Sequence, residues 1–158
     1  MNMTTLENTV SDTAFLWLCS KESLTQRLRE FTHNQISHHL FYDDWGIASD
    51  QAVTSLTITH DTKTWIRKMQ WRLGDEIWVA CDVVIPASSI TSETAILKNI
   101  GGNSIGDILF QDPTLQRSDF EFFMSDTTVT RHSIFYFHEQ PLLVIETFLP
   151  AFFQAIES

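Results

Sequence analysis

A chain of 158 residues, 43% hydrophobic and 12% aromatic, is long enough for one domain with a substantial core. Twenty acidic residues against ten basic ones give a net charge of -10, and no stripe of Lys and Arg interrupts it, which excludes the electrostatic footprint of a nucleic-acid binder. The N-terminus lacks the basic and long apolar stretches of a secretory signal and no apolar run approaches bilayer length, so a cytoplasmic protein without an integral membrane segment is expected.

Residues 1–11 are polar and read as a loose N-terminal segment, followed by one domain over 12–152 and a tail over 153–158. Asp12 or Thr13 can cap a helix running to Cys19, and Ser23 opens a second one, Leu24–Phe31, with Leu24, Leu28 and Phe31 on one side. Gln35–Ile47 has strand composition with imperfect alternation. Thr62–Leu73 and Glu76–Pro86 are strands joined at Gly74-Asp75. The pattern then turns helical: Thr91 or Ser92 caps Glu93–Ile100, Gly101-Gly102 ends it, and Ser104 starts a shorter helix over Ile105–Phe110. Strands resume at Leu115–Met124, Thr128–His138 and Pro141–Leu149. Six strands, mostly in hairpins, with helices at the start and middle, predict a single-domain α+β fold with a largely antiparallel sheet.

Two charges sit where charge is expensive. Glu146 is a lone carboxylate in Pro141-Leu-Leu-Val-Ile-Glu-Thr-Phe-Leu-Pro150, a run apolar on both faces, so it is buried however the strand is turned and needs a partner, a ligand or a catalytic use. In Thr64-Trp-Ile-Arg-Lys-Met-Gln-Trp-Arg72, Arg67 shares its face with Trp65, Met69 and Trp71, while Lys68 and Arg72 mark the solvent side. Arg67 and Glu146 therefore suggest a closed pocket for an anionic, partly apolar small molecule, or else a structural ion pair. A turn at Gly74-Asp75 would set Arg67 opposite Asp82 and Trp71 opposite Trp78; a turn at Glu139-Gln140 would set Glu146 opposite Ser133. Arg131 falls on the face of Glu146, whereas Arg117, beside Asp119 and Glu121, reads as a surface ion pair. Cys19 and Cys81 read as reduced core thiols. His38 and His39 are adjacent on a strand and point to opposite faces, so no metal site is expected.

Taken in order, Trp65-Ile-Arg67, Val83-Val-Ile-Pro86, Ile105-Gly106 with Leu109-Phe110, Thr114-Leu-Gln-Arg117 and the final Glu146-Thr-Phe-Leu-Pro150 resemble the chorismate pyruvate-lyase family, from about Thr13 to Ala151. That resemblance implies a six-stranded antiparallel sheet with helical flaps closing over an internal ligand site. It implies loss of pyruvate from chorismate to give 4-hydroxybenzoate, towards the ubiquinone ring, without metal or cofactor, in a protein expected to be monomeric and inhibited by its product. By the same resemblance Arg67 is the carboxylate clamp, Glu146 the key carboxylate, and the backbone amides of Leu24 and Ile105 contact the product carboxylate. Arg131 is a candidate for the second substrate carboxylate. Asp82 departs from the resemblance, which places an arginine there. In apolar surroundings Glu146 is expected to titrate high. The competing function is a non-catalytic aromatic-acid sensor of the same fold; such sensors carry a helix-turn-helix domain that this sequence does not show, and retention of both Arg67 and Glu146 favours catalysis.

Overall fold

The computed structural model describes residues 1–158. In chain order the elements are α1 (Met3–Thr9), α2 (Asp12–Leu18), α3 (Leu24–Phe31), β1 (Ser37–Gly46), α4 (Asp50–Leu56), β2 (Thr64–Leu73), β3 (Glu76–Pro86), α5 (Ile105–Leu109), β4 (Gln116–Arg117), β5 (Glu121–Met124), β6 (Val129–Phe137), β7 (Gln140–Phe148) and α6 (Pro150–Ile156). The strands form one seven-stranded sheet in the order β1-β2-β3-β7-β6-β4, with β5 also pairing with β6, and every pairing is antiparallel. The α+β expectation holds. The seventh strand arises because Leu115–Met124 is not continuous: it breaks between β4 and β5, where Ser118 turns its hydroxyl and amide onto Ile134.

Helix boundaries follow side chains that compete for backbone groups. Ser11, not Asp12 or Thr13, caps α2, and Ser23 caps α3 as expected. The helix expected over Glu93–Ile100 shrinks to a 3-10 turn at Ala95–Lys98, because Thr94 spends its hydroxyl on Ser89 O and the Thr91 amide rather than on a helix. Both chain ends differ from expectation. Residues 3–9 form a helix with Leu6 fully buried, and Pro150, just past the strand expected to end at Leu149, is the first residue of α6, where its missing N–H is no loss. Phe152 and Ile156 of α6 then enter the core, so 153–158 is no loose tail.

One face of the sheet carries the main core. Met69, Trp71, Val79, Cys81, Val83, Val144 and Phe148 meet Leu6, Trp17, Leu18, Leu24, Leu28, Ile105 and Phe152 from the helices. The opposite face is covered only locally, where Ala48 and Ala52 pack on Val84 and Leu143. Both hairpins depart from the simplest register. The β2–β3 pair starts as expected at Leu73 and Glu76, but Trp78 is an extra residue in β3, so Trp71 faces Val79, Arg67 faces Val83, and Asp82 faces Lys68. The bulge lets Trp78 and Val79 both enter the helix-covered core, Trp78 against Phe31 and Phe152. In the β6–β7 hairpin the turn is His138-Glu139, both at positive φ, which sets Arg131 directly opposite Glu146.

Candidate active site

Glu146 lies on β7 with Leu142, Val144 and Phe148, facing the helix layer, and is 5% exposed. Its partner is not Arg67. Arg131, directly across on β6, donates Nε to Glu146 Oε1 at 2.8 Å and Nη2 to Oε2 at 3.3 Å. Arg117 on β4 donates Nη2 to Oε1 at 3.0 Å. Two buried guanidinium groups thus hold one carboxylate, leaving a local charge of one positive. Burial raises the carboxyl's pKa, but Arg131, and after it Arg117, more than offset that and bring it below the ordinary value. The expected high-titrating acid is instead an ionised acceptor.

The two arginines are not equivalent. Arg131 is 1% exposed, and its Nη1 donates to the carbonyls of Trp17, Leu18 and Ser20 at the end of α2, where the helix dipole favours a cation. With Nε and Nη2 on Glu146, it is anchored at all three nitrogens and orients the carboxylate. Arg117, expected on the surface, is buried to 6% side-chain exposure and lies over the rings of Phe120 and Phe135. Burial pulls its pKa down to about 10, with Glu146 resisting, so it stays cationic at neutral pH. Its expected neighbour Asp119 pairs with Lys21.

Arg117 and Glu146 are the charged groups of a cavity whose apolar lining includes Leu24, Met69, Trp71, Ile105, Leu109, Phe135 and Val144, with Cys81 beside Glu146. Burial raises the Cys81 thiol well above its usual pKa, so it remains a neutral wall group. The first turns of α3 and α5 border the same cavity through Ser23, Leu24 and Thr25, and through Ser104, Ile105 and Gly106. First-turn amides have no backbone partner within their helix; Gly106 N is taken by Ser104 Oγ, whereas those of Leu24 and Ile105 are donors bordering the cavity. The two helices are clasped together: Thr25 Oγ1 lies 2.7 Å from Ser104 Oγ, and Arg29 holds Asp107 through two bonds of 2.7 and 2.9 Å. Gly106 is required at this approach, since a Cβ there would sit 2.9 Å from Thr25 Oγ1. The enclosed space, about 40 Å³, is far below the roughly 150 Å³ that admits a benzene ring. An aromatic ligand enters only if α3 or α5 moves.

Arg67 stands apart from this cavity wall. Fully buried, it donates Nη1 to Gly101 O at 3.1 Å and Nη2 to Asn103 O at 2.9 Å, and its counterion is Asp43 on β1, 3.2 Å away. Its Nε is buried without a partner. His38 takes the carbonyl between, with Nδ1 2.9 Å from Gly102 O. Residues of β1 and β2 thereby grip three consecutive carbonyls just ahead of α5, with Gly101 at positive φ. Of the residues expected at the site, Glu146, Leu24 and Ile105 come together at the cavity, Arg131 stands behind Glu146, and Arg67 holds the adjoining loop. Asp82 turns to Lys68 on the other face, where burial raises its carboxyl and Lys68 counteracts. Arg117 was read as a surface ion pair and His38 was weighed only as a metal ligand, while Asp43 was not singled out; the buried position of Arg117 could be read only with the break at Ser118.

No grouping of three or more His, Cys, Asp or Glu side chains capable of holding a metal ion is present, and no helix is long and apolar enough to cross a membrane. The architecture is shared with the C-terminal domain of the histidine utilization repressor from Pseudomonas syringae pv. tomato (TM-score 0.55, 10% identity, 73% of this chain and 92% of that one). It is also shared with a GntR-family transcriptional regulator from Bacillus cereus (TM-score 0.53, 9% identity, 74% of this chain and 93% of that one). At such identities only the fold is shared. In sequence, the chain is 37% identical over 153 residues to a "Probable chorismate pyruvate-lyase" of Coxiella burnetii, covering 87% of this chain and 83% of that protein. It is 27% identical over 135 residues to the chorismate pyruvate-lyase of Salmonella schwarzengrund, covering 85% and 81%. The family model "Chorismate lyase" matches residues 2–157, and the chain belongs to the chorismate lyase family.

Proposed function

We propose that this chain eliminates pyruvate from chorismate in the cavity beneath α3 and α5, leaving 4-hydroxybenzoate, a precursor of the ubiquinone ring. The observation that carries this assignment is the ionised Glu146, held by two arginines at the wall of a mostly apolar cavity. In the reaction the hydrogen on the hydroxyl-bearing ring carbon leaves as a proton and the neighbouring bond from ring carbon to ether oxygen breaks. The freed C–H electron pair completes the aromatic ring, and the enolate formed on the departing oxygen takes up one proton at its methylene carbon, balancing the one released, and becomes pyruvate. Aromatisation drives the process, so the protein has mainly to orient the ring and stabilise the departing charge.

Each residue then has a defined task. Glu146, being ionised, accepts; its Oε2 carries only the 3.3 Å bond from Arg131 and is the oxygen free to receive the ring hydroxyl. Backbone amides of Leu24 and Ile105, at the first turns of α3 and α5, receive the ring carboxylate. Arg67 joins them once the bound carboxylate replaces the carbonyls of Gly101 and Asn103 as its acceptor, a planar fork suited to that exchange. The Gly101–Phe110 segment and α3 act as the lid. All these groups come from one chain, and a cytoplasmic monomer is the proposed working form, its domain including α1 and α6.

The test is direct. Purified protein incubated with chorismate in the presence of a chelator should release 4-hydroxybenzoate and pyruvate in equal amounts. Chorismate recovered unchanged, or turnover that appears only on adding a metal, would refute the assignment.

A further inference from the structure

We infer that Arg117 is a direct ligand of the second substrate carboxylate, the one on the departing enolpyruvyl group, and so acts in substrate recognition and in bond cleavage. This rests on the function proposed above. Chorismate is a dianion, and a closed apolar cavity must match each carboxylate with a donor set before it can exclude water. The first-turn amides of α3 and α5, with Arg67, serve the ring carboxylate. Among the remaining cations, Arg131 is excluded: it does not line the cavity, and its guanidinium is held between Glu146 and the carbonyls at the end of α2. Asp82, where the resemblance places an arginine, is a carboxylate turned to Lys68 on the other face.

Arg117 alone meets the requirements. It lines the cavity next to Glu146. Its protein partners take one hydrogen from each nitrogen: Nε to Ser133 Oγ at 3.0 Å, Nη1 to Lys21 O at 3.3 Å, Nη2 to Glu146 Oε1 at 3.0 Å. A guanidinium has five N–H groups, so one on each terminal nitrogen is left, and two terminal N–H groups are the donor set with which arginine binds a carboxylate. The rings of Phe120 and Phe135, 4.6 and 4.4 Å from its central carbon, hold the plane in place and keep water away. When the bond from ring carbon to ether oxygen breaks, negative charge develops on the oxygen beside the carboxylate that Arg117 holds, so the cation stabilises the leaving group without moving. Because 4-hydroxybenzoate lacks the enolpyruvyl group, the product makes no use of this contact.

That asymmetry supplies the test. Arg117→Met leaves Glu146 paired with Arg131, a balanced buried pair, so the variant should fold; Arg117→Lys keeps the charge but removes the fork. Steady-state kinetics with chorismate and calorimetric titration with 4-hydroxybenzoate are measured on both variants and the parent. The expected result is a fall in kcat/KM of roughly 10²-fold in Arg117→Met, partial recovery in Arg117→Lys, and a product Kd within about threefold of the parent in both. If kcat/KM and product affinity fall by the same factor, Arg117 merely supports Glu146 and the inference is overturned; unchanged kcat/KM overturns it as well. A parent protein that binds 4-hydroxybenzoate yet does not turn chorismate over would contradict the proposed function itself, which the variants do not bear on.

Discussion

Replacing Glu146 by Gln keeps the shape of the side chain and removes the one negative charge between Arg131 and Arg117. In the parent, three bonds of 2.8, 3.0 and 3.3 Å tie that charge to two guanidinium groups, all three side chains being nearly inaccessible. Glutamine can accept at one oxygen but leaves two buried cations facing each other without a counterion. Removing one partner from a buried ion pair costs about 3–5 kcal/mol. At 2–4 °C per kcal/mol for a domain of this size, Tm should fall by about 10 °C at pH 7. Arg117→Met, which leaves a complete pair, should lose less. Turnover of chorismate by Glu146→Gln should drop at least roughly 10²-fold, since the acceptor for the ring hydroxyl is lost.

The pH dependence gives an independent check on the same group. Burial raises its pKa, yet Arg131 and Arg117 together place the native carboxyl below its ordinary value. Its stabilising contribution is therefore complete above the ordinary carboxylate pKa of the unfolded chain and is lost as pH falls through the depressed native value. Thermal unfolding of parent and Glu146→Gln across the acid range should show the two Tm curves converging there. A variant melting within about 2 °C of the parent at pH 7, or curves that stay parallel into acid, would refute the ion-triad account of Glu146.

Three further variants probe the lid. Arg67→Ala should lower kcat/KM for chorismate by at least about 2 kcal/mol, roughly 30-fold, with Arg67→Lys recovering little because it lacks the fork; near-parental kinetics in both would remove Arg67 from the clamp. His38→Ala frees Gly102 O and loosens the loop ahead of α5, so stopped-flow release of 4-hydroxybenzoate should quicken several-fold, and an unchanged off-rate would show that the loop does not gate exit. Gly106→Ala drives a Cβ to 2.9 Å from Thr25 Oγ1 and should part α3 from α5, weakening 4-hydroxybenzoate and lowering stability by about 1–3 kcal/mol. Adding Thr25→Ala should restore part of that loss; a parental Tm and product Kd in the single variant would mean that the clasp is slack.

Local signals carried the general architecture. Ser23 before Leu24 and Ser104 before Ile105 are helix starts that depend on a side-chain oxygen and the next amides, and both form where the sequence places them. Period-two alternation put Arg67 on the face of Met69 and Trp71, and the apolar run around Glu146 guaranteed its burial, because both are properties of a single strand. The order of short motifs pointed to the family. Nothing local, however, distinguishes Pro150 as a strand stop from Pro150 as the first residue of a helix; Phe152 and Ile156 settle it by finding a core to enter.

What pairs with what was decided only in three dimensions. One extra residue at Trp78 moves Asp82 from opposite Arg67 to opposite Lys68, and a turn at His138-Glu139 instead of Glu139-Gln140 moves Arg131 to face Glu146. A slip of a single residue changes every cross-strand partner, and it is chosen by whether Trp78 packs against Phe31 and Phe152, not by the turn sequence alone. The ionisation of Glu146 followed from the β6–β7 register. From the strand, an isolated carboxyl among apolar side chains titrates high; with Arg131 across the ladder and Arg117 brought in from β4, it ionises. The sequence by itself determined that a buried carboxylate and a buried arginine exist on inward faces. The tertiary structure decided which cations meet that carboxylate, because charges separated along the chain acquire a common dielectric environment only when the sheet closes around them.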